Sequence, residues 1–188
     1  NNLSPVSVNT SSFETIKTSG AENYYGIIEI VYFLSLCTVF LSFIFQTERS
    51  SHIGSRFGVS NAGAAFRYFS KYFACLITAI IVQIVAVGVI VTAFFDVSMG
   101  NPAVFFGILI LSAAAFTALG LIFMLIFNNM AVSLGLFFVV MWFAGELGGT
   151  FETYMYEVFP ESVKRCSPLY FVNRTLVETS VNGSSNYL

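Results

Sequence analysis

The chain has 188 residues, of which 56% are hydrophobic and only 10% are charged, and its formal net charge at pH 7 is -2. Its mean hydropathy of +0.80 lies outside the range of ordinary soluble domains, since a soluble protein of this size could not hide 22 phenylalanines and keep a wettable surface. Nucleic acid is excluded as a partner because the sequence has no dense basic patch to contact phosphates. The composition therefore predicts an integral membrane protein.

The N-terminal segment is polar and precedes the first apolar run. Residues 1–22 are rich in Ser, Thr and Asn and show neither helical nor strand periodicity. We interpret them as the end of an extracytoplasmic loop or domain. Because the chain does not begin with Met and has no leader-like segment, we expect it to be a piece of a longer polypeptide.

Four apolar runs follow, each of about the length that crosses a hydrocarbon core of about 30 Å, which takes roughly 20 helical residues. Each run is apolar on all sides and lacks the alternation of a barrel strand, which favours lipid-embedded helices. The expected fold is an all-α polytopic bundle, four spans of a six-span domain that would occupy residues 23–188. The predicted spans cover about 27–45, 73–95, 103–127 and 130–147.

Short connections follow the second and third spans. Residues 96–102 are rich in turn formers, and Pro102 stands where proline favours the first turn of a helix. The dipeptide Asn128-Asn129 is a minimal break between the third and fourth spans. These breaks predict tight connections between antiparallel neighbours.

Small residues predict where the spans approach each other. Ala114 and Ala118 lie four apart in the third span, and Ala131 and Gly135 do so in the fourth. Lipid offers no hydrophobic drive for helix association, so close backbone approach at small residues becomes important. We expect both pairs to lie in helix contacts.

The distribution of charge predicts the orientation. Residues 30–145 contain six charged residues, and five of them lie within residues 48–71. Lys and Arg are retained on the cytoplasmic side, so residues 46–72 are expected to be inside and both ends of the chain outside. The expected location is the plasma membrane.

The basic segment has two parts. Residues 46–60 are weakly amphipathic, and residues 61–72 place Phe66, Phe69 and Phe73 at helical spacing, with basic side chains one step away. This second pattern predicts a helix lying in the headgroup zone. A plain inside loop is the alternative.

The segment after the fourth span predicts a helical hairpin at the outer surface, over about 149–180. Pro160 ends its first helix, and Ser167-Pro168 offers a cap and a first-turn proline for a second helix over residues 169–177. The alternative is a surface loop with chance periodicity. The apolar face of the first helix, spaced as i, i+3, i+4, i+7 and i+8, consists of Phe151, Tyr154, Met155, Val158 and Phe159.

The order of these elements resembles the transmembrane domain of a type-2 ABC transporter permease, over about residues 24–180. In that family the outer hairpin often carries an S-P-L…N pattern, matched here by Ser167-Pro168-Leu169 and Asn173. The family's cytoplasmic E-R…G…R-L…P-V-S…G-K segment is matched by Glu48-Arg49, Gly54, Arg56-Phe57, Gly58-Val59-Ser60 and Lys71. Within this segment, a Gly replaces the usual Pro before Val59, a Phe replaces the Leu, and Gly63-Ala64 replaces a basic pair.

The resemblance implies a partner on the cytoplasmic side. Two such domains pair as a homo- or heterodimer, and each is driven by an ATPase domain or subunit that receives the coupling helix, here residues 46–60. The residues implied at that contact are Glu48, Arg49, Arg56 and Phe57. The chain has no phosphate-binding G-x-x-x-x-G-K-[ST] loop, so we expect ATP hydrolysis elsewhere. A lipid, a peptide or a drug-like molecule would each suit as substrate.

A membrane enzyme is one alternative class. Such an enzyme needs a nucleophile with a base, or a set of metal ligands. The only histidine lies in the basic segment, and serines within spans usually bond helix backbone or a neighbouring helix. We therefore expect no catalytic residue, metal site or cofactor. The span serines without a base beside them are Ser35, Ser42, Ser112 and Ser133.

A carrier or channel that does not use ATP is a second alternative, and a non-transporting sensor subunit is a third. Carriers and channels place ionisable groups at mid-membrane, whereas here Gln83 is the strongest polar group at depth. Glu29 and Glu146 lie near the outer boundary, where water reaches a carboxylate. These three are the candidate pathway residues. The favoured interpretation of Gln83 is a bond across a helix contact, and that of the two glutamates is an anchor at the interface.

Overall fold

The computed structural model describes residues 21–51, 63–85, 88, 99–127, 129–151 and 158–182. Throughout these ranges the regular structure is helical, which confirms the predicted all-α fold. The helices are α1 (Ala21–Ser50), α2 (Ala64–Ala79) with a π segment (Ile80–Val85), α3 (Pro102–Ile126), α4 (Met130–Leu147), α5 (Glu161–Lys164) and α6 (Pro168–Asn182).

Among the described residues, three helical stretches are long and apolar enough to cross a membrane. They are Ala65–Val85, Pro102–Ile126 and Met130–Leu147. The first predicted span falls within α1, where the apolar stretch Tyr24–Val39 is shorter. Multiple spanning helices are therefore supported by length and composition, while the count of four and the orientation stay predictions.

Asparagine caps set the starts of α3 and α4, close to the predicted positions. The Oδ1 atom of Asn101 accepts a hydrogen bond from the Ala103 amide at 3.2 Å, and Pro102 follows in the first turn. Asn129 Oδ1 accepts from the Ala131 amide at 3.0 Å. Each cap satisfies an amide that has no partner within its helix.

A glycine pair ends α4 at Leu147, where the sequence predicts the end of the fourth span. Gly149 has a φ of 73°, a left-handed conformation that favours glycine. Its amide donates to the Glu146 carbonyl at 3.3 Å, and the Thr150 amide donates to the Gly145 carbonyl at 2.9 Å. This is the Schellman arrangement that closes many helices.

The second spanning helix begins earlier than the sequence indicates. α2 starts at Ala64 and continues without a break past Tyr72, so the helix predicted over 61–72 is helical in its described part and is continuous with the span. Its position in the headgroup zone stays a prediction. No Gly or Pro interrupts residues 64–85, and nothing local ends the helix before the span. α1 likewise extends to Ser50, into the predicted loop.

The spanning helices alternate in direction around α3. Cys75 of α2 donates to the Leu41 carbonyl at 3.7 Å, whereas Gln83, later in the same helix, donates to the earlier Phe33 carbonyl. α1 and α3 contact each other, and both contact α2, α4 and α6, so these two helices lie at the centre of the bundle. The largest fully buried side chains are Phe105, Phe116, Phe137, Ile27, Ile28, Leu34, Leu109, Leu169 and Leu176.

The helix α6 packs across one end of this bundle. We call this the cap end; there α1 and α3 begin and α4 ends. α6 contacts all three helices, and Leu169 and Leu176 belong to the common core. At Gly100, with a φ of 61°, an added Cβ would lie 2.1 Å from the Thr179 carbonyl oxygen. The approach of α6 therefore requires glycine at this position.

The predicted small-residue contact on α4 is wrong. Gly135 and Ala131 are exposed, and a Cβ added at Gly135 would meet nothing within 4 Å. The buried face of α4 instead carries Ser133, Phe137 and Met141, at the same four-residue spacing. Spacing alone defines a helical face without showing which face meets a neighbour.

On α3, the predicted contact residues are only partly buried. Ala114 and Ala118 are half-buried, and the Ala114 carbonyl oxygen accepts a hydrogen bond from the Tyr72 hydroxyl at 3.0 Å. The more buried face of α3 includes Ala113, Thr117 and Gly120. Ala114 thus contributes to a contact with α2 through its backbone.

Candidate functional site

Two side chains of the S-P-L…N segment, at the start of α6, form hydrogen bonds to the end of α4. The Ser167 hydroxyl donates to the Ala144 carbonyl at 2.7 Å, and Asn173 Nδ2 donates to the Gly148 carbonyl at 3.0 Å. Both side chains are buried. The Ala144 carbonyl also accepts from the Gly148 amide at 2.8 Å, so Ser167 adds a second donor there. The Gly148 carbonyl lies beyond the last residue of α4, where carbonyls lack intrahelical partners, and Asn173 supplies its donor.

The remaining members of the segment have packing roles. Pro168 begins α6, as the sequence predicts, and the helix continues past Val177 to Asn182. Leu169 is fully buried, and its Cβ would lie 2.8 Å from a Cβ added at Gly148. The Ser167 side chain, expected as a helix cap, bonds the end of α4.

A polar network extends from α5 along one face of α6. The Tyr170 hydroxyl donates to Glu161 Oε2 at 2.8 Å and accepts from Arg174 Nη1 at 2.6 Å. Arg174 Nε lies 3.6 Å from Glu178 Oε1, and Lys164 Nζ lies 3.6 Å from Glu161 Oε1. The hydrogen bond from Tyr170, with smaller effects of the two cations, lowers the pKa of Glu161.

A pocket opens beside this network, between the start of α1, the end of α4 and α6. Its volume is about 280 Å³. One wall is apolar, with Ile28 and Val177, and aromatic and charged side chains form the rest. The polar lining residues are Tyr24, Tyr170, Asn173, Arg174 and Glu178.

Gln83 lies in a contact between helices. It occupies the π segment, is only 4% exposed, and donates from Nε2 to the Phe33 carbonyl at 2.9 Å. Its Oε1 atom has no hydrogen-bond partner among the described residues. The geometry therefore supports a bond across the α1–α2 contact, one of the two interpretations of this residue.

The described span serines bond helix backbone or a neighbouring side chain. Ser35 donates to the Tyr32 carbonyl at 2.6 Å and Ser112 to the Ile108 carbonyl at 2.7 Å. Ser133 lies 3.2 Å from the sulfur of Met124 on α3. Within the described ranges, no group of three or more His, Cys, Asp or Glu side chains is placed to hold a metal ion. The side chain of Ser42 lies outside the description.

The two glutamates near the cap end have different surroundings. Glu29 is exposed on α1, as an interfacial anchor would be. Glu146 is only 5% exposed on α4, which differs from the expectation that water reaches both carboxylates.

Only part of the first helix of the predicted hairpin is described. The Phe151 ring packs edge-on against Tyr32, with ring centroids 5.1 Å apart. Val158 is 64% exposed and Phe159 is half-buried. Tyr154 and Met155 lie outside the described residues. The contact of Phe151 agrees with burial of the apolar face at its beginning, while Val158 is largely exposed among the described residues.

The predicted coupling residues are not brought together by the described structure. Glu48 and Arg49 belong to the last turn of α1, and their side chains are outside the description. Arg56 and Phe57 lie outside the described residues. Their role stays a prediction.

Comparison with known protein families, with curated proteins and with solved structures gave no match.

Proposed function

We propose that this chain is the permease domain of an ATP-binding cassette exporter, which moves a substrate across the plasma membrane. The observation that carries the proposal is α6, which begins in an S-P-L…N segment and packs across the ends of spanning helices. A helix folded back onto the bundle after a span is the feature that the resemblance to type-2 permeases implies. Spanning helices that alternate in direction support the same proposal.

In this proposal, an ATPase domain or subunit binds the basic segment. Glu48, Arg49 and Arg56 would pair with charges on the ATPase, across an interface that changes during the ATP cycle. α1 runs unbroken into this segment as far as Ser50, so a displacement there would be transmitted along a continuous helix. A second permease half completes the pathway.

The contact between α1 and α2 would carry the displacement further. Cys75 and Gln83 both donate to backbone carbonyls of α1, at Leu41 and Phe33. The two helices are thus joined by side-chain to backbone bonds at two levels of the bundle. Movement of α1 would therefore move α2 with it.

The orientation predicts opposite labelling of two single cysteines. In a background with Cys37, Cys75 and Cys166 replaced by Ser, Ser51→Cys is expected to react with a membrane-impermeant thiol reagent only from the cytoplasmic side. Ser98→Cys is expected to react only from outside. Permeabilised cells supply the control for total reactivity. Labelling of both positions from one side would contradict the topology.

Charge reversal at Arg56 tests the contact with the ATPase. The Arg56→Glu variant, in the full transporter with its ATPase, is expected to lower ATP-driven transport roughly tenfold or more, because a repulsive charge at an interface costs several kcal/mol. Membrane insertion and expression are expected to be unchanged.

Arg165→Glu is the matched control, since Arg165 is exposed beside α5 at the cap end, away from the basic segment. The proposal predicts normal transport for this variant. Equal transport by Arg56→Glu and the original chain would refute the coupling role.

The alternatives are a carrier or channel that does not use ATP and a sensor subunit that does not transport. Copurification separates them from an exporter: an ATPase that remains bound to the original chain and is lost from Arg56→Glu supports the proposal.

A further inference from the structure

The pocket at the cap end combines a defined volume with paired opposite charges. We infer that it binds the zwitterionic headgroup of a membrane phospholipid, a phosphate ester that carries an ammonium group. Such binding goes beyond the proposed transport activity, because it requires neither ATP nor a second permease half.

The charges in the pocket match the two charges of that headgroup. Arg174 supplies a guanidinium, the side chain best suited to phosphate oxygens. Glu178 lies one turn along α6, with its Oε1 atom 3.6 Å from Arg174 Nε, and supplies a carboxylate for an ammonium group. The Tyr24 ring in the same lining is suited to a cation as well, whereas the Tyr170 ring already has the Arg174 guanidinium 5.8 Å from its centroid.

The depth of the pocket favours a lipid over a soluble ester. It lies where α1 begins and α4 ends, so in a bilayer it is level with the headgroups. Tyrosines are enriched at this level of membrane proteins. The apolar wall formed by Ile28 and Val177 would contact the glycerol and the first acyl carbons.

Asn173 provides a second observation at the pocket wall. It is 3% exposed, and its Oδ1 atom has no hydrogen-bond partner among the described residues, whereas its Nδ2 atom donates to Gly148. A buried acceptor without a donor is unfavourable. This oxygen is enclosed by the protein, so Asn173 fixes the position of α6 at the pocket wall through its bond to Gly148.

Lipid titration of the detergent-purified full protein, followed by native mass spectrometry, tests the inference. The expected result is retention of one short-chain phosphatidylethanolamine per chain, in preference to phosphatidylglycerol of the same chain length. Arg174→Gln is expected to weaken this binding roughly tenfold or more, since it removes a charge-assisted contact. Glu178→Gln is expected to abolish the preference between the two lipids.

Arg165→Gln is the matched control, because it removes the same charge from the same end of the bundle outside the pocket. Val177→Phe narrows the pocket while every charge stays in place, and it carries the test if Arg174→Gln does not fold. If the Val177→Phe protein folds and still binds phosphatidylethanolamine as the original chain does, the inference is wrong. If soluble phosphoethanolamine binds with the same affinity as the phospholipid, the ligand of the pocket is not a lipid.

Discussion

Replacement of Gly100 by Ala is expected to destabilise the packing of α6 by on the order of 3 kcal/mol. The added Cβ would lie 2.1 Å from the Thr179 carbonyl oxygen, a backbone atom that cannot rotate away. The φ of 61° adds a further cost, since alanine disfavours the left-handed region. The measurement is thermal unfolding of the purified protein in detergent, together with proteolysis of the α6 segment.

Gly107→Ala is the matched control for Gly100→Ala. Gly107 lies in α3, the helix that begins just after Gly100, and a Cβ added there meets nothing within 4 Å. Alanine favours a helix interior over glycine, so this variant is expected to be neutral or more stable by up to about 1 kcal/mol. If both variants unfold at the same temperature, the packing of α6 on the start of α3 is wrong.

Asn173→Ala is expected to destabilise the protein by about 1–3 kcal/mol, through loss of the bond that joins α6 to α4. The Gly148 carbonyl would be left buried without the Nδ2 donor, and the side chain's space would be left empty. Asn173→Asp is expected to be worse at pH 7, because a carboxylate would face the carbonyl oxygen. Denaturant or thermal unfolding in detergent measures both variants.

Ser162→Ala on α5 is the control for Asn173→Ala, since Ser162 is exposed. Its unfolding temperature is expected to match that of the original chain. An Asn173→Ala protein that is as stable as Ser162→Ala would show that the bond to Gly148 contributes little in solution.

Local signals in the sequence were sufficient for the ends of α3 and α4 and for the start of α6. Asn101-Pro102 and Asn129 mark the starts of α3 and α4, and Gly148-Gly149 marks the end of α4. These signals act within one turn, so they can be recognised without the tertiary structure. The early start of α2 was missed because charged residues near Lys71 suggested a separate surface helix.

Features that depend on contacts between distant helices were not predicted. The S-P-L…N pattern located α6, but the bond from Ser167 to Ala144 depends on where α4 ends relative to α6. The exposed Gly135 shows the same limit, since a small residue does not reveal the face that meets a neighbour. The polar residues of the pocket could have been recognised in the sequence, because Tyr170, Arg174 and Glu178 are spaced four residues apart.

The π segment has a consequence for the angular positions of side chains on α2. In an α-helix, two residues eight positions apart differ in direction by about 80°, since each residue turns by about 100°. A π-helical turn has about 4.4 residues, so the angle between the directions of Cys75 and Gln83 becomes close to zero. Cys75, the buried Ala79 and Gln83 can then all face α1. The π-helical turn thus keeps these three side chains on one face of α2, so that a straight α2 can contact α1 over two turns.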